Sequence, residues 1–227
     1  MRKKMALTIA LAISAIFTGS VYSNILYANQ YEMFNTPFSY IIMGESTTTY
    51  DFSNGASTDK WAYRREDNQN PPSANNVPSV EFNLAQYNRI SADDGVRQGE
   101  RASSGNYAAH RFVFTINESI ENITKIDILW NGIGVYAFRL GGSWVPVSGG
   151  VTLHIWNYNT SSYETLNVTA SMAEGNVTAS ITSNISNYIN GSGKLILLIE
   201  QNSASWLIFY SLLATDYIKA DVTYTGG

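Results

Sequence analysis

The sequence predicts an all-β protein: one two-sheet antiparallel β-sandwich with a single short helix, preceded by a signal peptide. Three observations predict it. From Ala108 onward, β-branched and aromatic residues alternate with polar ones at period two, and Gly, Asn and Ser interrupt the runs. The chain of 227 residues is 13% aromatic and only 14% charged, a composition that buries a core and does not suit disorder. It opens with a basic stretch, Met1 to Lys4, followed by an unbroken apolar or small run from Met5 to Phe17, too short for the about 20 residues of a membrane span.

Taken in order, residues 1–23 form the signal peptide. Val21-Tyr22-Ser23 is a small-x-small exit, and Leu26-Tyr27-Ala28 offers a later one at 28. Retention as an uncleaved anchor is the alternative, given the apolar continuation through Ile25 and Leu26. Residues 24–58 read as an N-terminal extension or first strands, with β-prone strips at Phe38–Met43 and Thr47–Phe52 around Gly44. Residues 59–227 form the sandwich domain. Its opening, Asp59 to Arg101, concentrates charge, and the Pro/Asn-rich run Asn68 to Pro78 denies regular structure. Strands follow at His110–Ile116, Ile126–Trp130, Val151–Trp156, Tyr163–Val168, Leu195–Ile199, Trp206–Tyr210 and Tyr217–Tyr224. Between them, Ile185, Tyr188 and Ile189 recur at helical spacing behind Ser183, and Asn190-Gly191 stops the turn.

Composition narrows function by exclusion. The chain has no cysteine, so disulfides, zinc–thiolate sites, iron–sulfur clusters and cysteine catalysis are out. A formal net charge of −4 gives no footprint for nucleic acid and speaks against anionic surfaces in general. A membrane would be met only through an uncleaved signal. The signal places the protein outside the cell or on its surface, where the sequons at Asn117, Asn122, Asn159, Asn167, Asn176, Asn184 and Asn190 are glycosylation candidates.

Asp59 to Thr225 resembles a β-sandwich module of archaeal secreted and cell-surface proteins, of the jelly-roll, carbohydrate-binding-module type. The resemblance rests on Asp59-Lys-Trp-Ala-Tyr63, Asp93-Asp-Gly95, Ala108 to Phe114, Ile126 to Gly132 and Leu153 to Asn157. It continues through Ser183 to Tyr188, Glu200 to Ser203 and Thr215 to Lys219. It implies a surface module, and here that module stands nearly alone behind a signal.

Candidate sites are few. His110 and His154 are the only histidines, and no nucleophile elbow accompanies them, so no catalytic residue is assigned and the protein is read as a non-enzyme. Asp93-Asp94-Gly95 sets adjacent carboxylates on a Gly turn, which a Ca²⁺ ion would bridge. The resemblance implies Asp216 or Asp221 as its partners across the fold. A structural Ca²⁺ is thus the one cofactor in view. Trp130 and Trp156 alternate in phase with buried aliphatics and read as core, whereas Trp144, in the loop Gly141 to Pro146, is the candidate sugar platform, with Tyr136 or Tyr158 beside it. Phe38, Tyr40, Ile41 and Ile42 are an assembly candidate, a terminal strand able to pair with a neighbour's sheet edge. The expected protein is therefore a non-catalytic structural or adhesive surface protein whose partners are glycans or other copies of itself. The alternatives are a carbohydrate-binding module and a filament subunit assembled by strand exchange.

Overall fold

The structure, a computed structural model, describes residues 44–75 and 80–226. The signal, its cleavage points and the assembly residues Phe38, Tyr40, Ile41 and Ile42 lie outside the described residues. The strands are β1 (Glu45–Asp51), β2 (Lys60–Asp67), β3 (Val80–Glu81), β4 (Gln98–Arg101), β5 (Tyr107–Thr115) and β6 (Ile123–Leu140). They continue as β7 (Ser143–Gly149), β8 (Val151–Asn157), β9 (Ser162–Val168), β10 (Gly175–Ile181), β11 (Lys194–Gln201) and β12 (Phe209–Thr225). Among the described residues the α-helix is α1 (Leu84–Asn88).

Two six-stranded antiparallel sheets result. The first runs β1-β12-β6-β10, with β4 also on β12 and β7 also on β6; the second runs β3-β2-β5-β11-β8-β9. Alternation from each sheet supplies the shared core. Phe112, Phe114, Leu153, Ile155, Leu195, Leu197 and Ile199 from one meet Ile126, Ile128, Trp130, Ile218, Ala220 and Val222 from the other, and all are buried. Phe52, just past β1, closes one part of the seam, its ring 5.3 Å from Phe114 and 5.5 Å from Tyr87. Close approach of the layers shows at Gly134, where a Cβ would lie 2.3 Å from a Val151 methyl.

The alternating pattern predicts strands with one wet face, but β5, β8 and β11 are buried on both. Their outward residues Ala109, Val113, Trp156, Ile196 and Leu198, with Tyr163 of β9, form a second apolar cluster against which Trp61, Tyr63 and Tyr158 pack. The unbroken run Leu195–Ile199 carries this double burial.

Several elements depart from expectation: β7 and β10 are not among the expected strands, and Trp144, expected in a loop, stands in β7. Ile126–Trp130 is only the first part of the 18-residue β6. The run Trp206–Tyr210 is not one strand: Trp206 and Phe209 bridge across a two-residue turn, and β12 proper starts at Phe209 and continues past a bulge between Thr215 and Tyr217. The expected helix at 183–189 is a single 3-10 turn, Ile185–Asn187, because Asn184 before it is left-handed at φ 52° and gives no side-chain cap. The α-helix forms instead in the charged opening. There Asn83 accepts from the Gln86 N–H and Gln86 accepts from the Asn83 N–H, a reciprocal capping box.

Candidate ligand-binding surface

Strand register builds one exposed aromatic group on the outward face of the first sheet. β7, β6, β12 and β4 lie side by side, and Trp144 pairs with Arg139, Tyr210 with Ala137, and Leu212 with Arg101. All of these share the outward face. Ala137 is the middle residue, and its small side chain lets Trp144 and Tyr210 reach over β6 to meet edge-on at 5.4 Å and 74°. The Arg101 guanidinium lies 5.1 Å from the Tyr210 ring, and that of Arg139 lies 5.9 Å from the Trp144 ring. Trp144 is 40% exposed, and both arginines are exposed. The row therefore offers apolar ring faces flanked by cationic hydrogen-bond donors.

The other expected platform residues lie elsewhere. Tyr136 is on the opposite face of β6, stacked on Phe209 at 5.4 Å and 24°. Tyr158 follows β8 in the second sheet, where its N–H donates to the Asn187 carbonyl. Neither joins Trp144. Tyr210, Arg139 and Arg101 were not visible as partners in the sequence, because only cross-strand register brings them together. Trp130 and Trp156 are buried as read.

The acidic candidates divide. The 93–95 turn meets β12 at Asp216, whose Oδ2 accepts from the Gly95 N–H at 2.9 Å, while Val96 N–H donates to Asp94. Asp216 is buried and its Oδ1 receives no hydrogen bond. Burial raises its carboxyl above the ordinary range, the Gly95 and Asp94 N–H groups oppose this, and Asp93 beside it adds to the rise. Asp221 stands apart, taking Lys219 Nζ at 2.6 Å and the Thr49 hydroxyl at 2.6 Å. Among the described residues, no group of three or more acids or histidines is arranged to hold a metal.

The histidines are separated and buried. His110 Nδ1 shares a hydrogen bond of 2.8 Å with the Thr215 hydroxyl, which also accepts from Trp130 Nε1–H, and burial pushes His110 down to about 3. His154 accepts the Thr165 hydroxyl on Nδ1 and donates from Nε2 to Asn70, and burial pushes it down to about 4. His154 Nε2 is 3.7 Å from Glu200, which burial, with Asp67 adding to it, pushes up to about 9. Both members of that contact are neutral at pH 7, so it is a polar contact and not an ion pair. Both are at most 1% exposed.

Among the sequons, Asn117, Asn159, Asn167, Asn176 and Asn184 are exposed, and Asn122 and Asn190 half-buried. Among the described residues, no helix is long and apolar enough to cross a membrane.

The profile of the family AF_1625_C, described as "Uncharacterized protein, C-terminal domain", matches residues 57–224. No curated protein matches in sequence. Among solved structures, a "xylan-binding module CBM15" is similar at 9% identity and a TM-score of 0.40, over 81% of this chain and 100% of that one.

Proposed function

The chain belongs to the AF_1625_C family, and with its sandwich as the family's unit we propose that it is a non-catalytic, extracellular contact module that grips surface glycans through Trp144 and Tyr210. The observation that carries this is the row Arg101–Tyr210–Trp144–Arg139. A pyranose ring presents axial C–H groups on one face and hydroxyls at its rim. An exposed indole stacks on the first, and flanking guanidinium groups donate to the second. The basic-then-apolar opening supports export, and the exposed sequons support glycans on the protein itself. The non-catalytic reading is supported by the two neutral histidines, which are buried apart.

The test is a glycan array followed by fluorescence titration. The native chain is expected to bind a subset of glycans, and Trp144→Ala to lose that binding at least about tenfold, as expected for removing a stacking ring of about 1.5–3 kcal/mol. The melting temperature should hold, because Trp144 lies outside the core. Unchanged binding by the variant sinks the proposal.

We propose further that a Ca²⁺ ion ties the 93–95 turn to β12. Asp93 and Asp216 would supply carboxylate oxygens, with backbone carbonyls and water completing the shell. The support is the buried Asp216 Oδ1 that receives no hydrogen bond.

A further inference from the structure

The turn that opens β12 is built against the usual rules for an exposed loop. Trp206 and Phe209 exchange two backbone hydrogen bonds of 2.9 Å each, leaving Leu207 and Ile208 as the tip. Trp206 is 64% exposed, Leu207 76% and Ile208 64%. Leu207 has φ +53°, a left-handed conformation suited to Gly or Asn and strained for a leucine. A solvated turn would relieve both costs with Asn-Gly. Here apolar side chains sit at a strained and well-exposed point.

Register adds a second tip beside it. Phe209 pairs with Phe138, and beyond that pair β6 runs through Arg139 to Leu140 at the β6–β7 turn, Leu140 being 65% exposed. Both tips leave the sheet at the same end. Residues 136–149 and 203–213 contain no Asp or Glu, although the chain as a whole is acidic; their one charged residue is Arg139, with Arg101 on the neighbouring strand.

We propose that this end is a lipid-contact tip: Trp206, Leu207, Ile208 and Leu140 enter the interfacial zone of an anionic bilayer, with Arg139 at the headgroup level. The shape selects the occupant. A two-residue turn is too narrow for the about 800 Å² per partner that a stable protein interface buries. A bilayer interface accepts a point of a few apolar side chains and favours Trp and Arg at its rim. The two arginines, Arg139 and Arg101, favour an anionic headgroup, while the Glu66 carboxylate at this end is engaged by donors of Ser103 and Asn106.

The lack of cysteine makes the test direct. In the full chain, Leu207→Cys carries a polarity-sensitive nitrobenzoxadiazole label, and Lys125→Cys, near the other end of β6, carries the same label as control. Vesicles of phosphatidylcholine with phosphatidylglycerol should shift the emission at 207 to the blue and expose it to quenching by spin-labelled lipid, while the label at 125 stays unchanged. Trp206→Ser with Ile208→Ser should lower vesicle partitioning at least about tenfold, the scale of withdrawing two such side chains. Leu207→Gly should also weaken it while leaving the fold at least as stable, because φ +53° suits glycine. An unshifted label at 207 on vesicles overturns the proposal, as does undiminished partitioning of the variants. A blue shift without vesicles that grows with protein concentration overturns it in favour of self-association.

Discussion

Glu200 concentrates the electrostatic cost of the second sheet. It sits on β11, buried beside His154 and Asp67, and burial first, then Asp67, holds its proton to about pH 9. The unfolded chain releases that proton near 4.5, so between about 4.5 and 9 the folded state binds more protons. The stability this contributes is complete below about 4.5 and is lost as pH rises toward 9, at up to about 1.4 kcal/mol per pH unit. Glu200→Gln is therefore expected to match the parent near pH 5 and to melt higher by several degrees at pH 8, as thermal unfolding across pH will show. Identical pH profiles would refute the assignment. His110 and His154 act in the opposite sense. Both are depressed on folding, so their contribution is present above about 6.5 and fades as pH falls toward 4 and 3. The variant should keep that acid limb. Neither histidine's neutrality was legible in the sequence.

Elements were legible where a repeat or a composition forced them and obscure where one side chain decided. The strands β5, β6, β8, β9, β11 and β12 follow from period-two runs, but their lengths do not, and β7 and β10 are not among the expected strands. β6 and β12 run on because each is hydrogen-bonded to the other along nearly its whole length, a fact of pairing and not of either sequence. The helix at 183–189 was outweighed by one left-handed residue, Asn184, whereas α1 forms in a charged stretch because Asn83 and Gln86 satisfy its first donors. The 93–95 turn and β12 belong to the same scale. If calcium joins them, adding it to chelated protein should raise the melting temperature, by an amount that grows with the logarithm of its concentration. Asp216→Asn should abolish the rise, and Asp221→Asn should leave it intact because Asp221 is committed to Lys219 and Thr49. A calcium-independent melting temperature ends that proposal.

At the scale of the molecule, two sheets meet over one aromatic and aliphatic seam, and the second sheet's outward face carries another cluster. The proposal of export belongs here. Intact mass of protein taken from its native source should lack residues 1–23 or 1–28 and carry increments at the exposed sequons; a full-length, unmodified mass would remove it.

The sequence by itself determined the fold class, since side-chain alternation is a local property that each strand carries alone. It also singled out Trp144, because a tryptophan beside Gly141-Gly142 falls outside the buried pattern. Only the tertiary structure decided what stands beside it. Tyr210, Arg101 and Arg139 come from three other strands, and the exposed tip at Leu207 lies within a run that looks like a strand. Register depends on pairing energies summed over whole strands, and no single segment encodes its neighbour's offset.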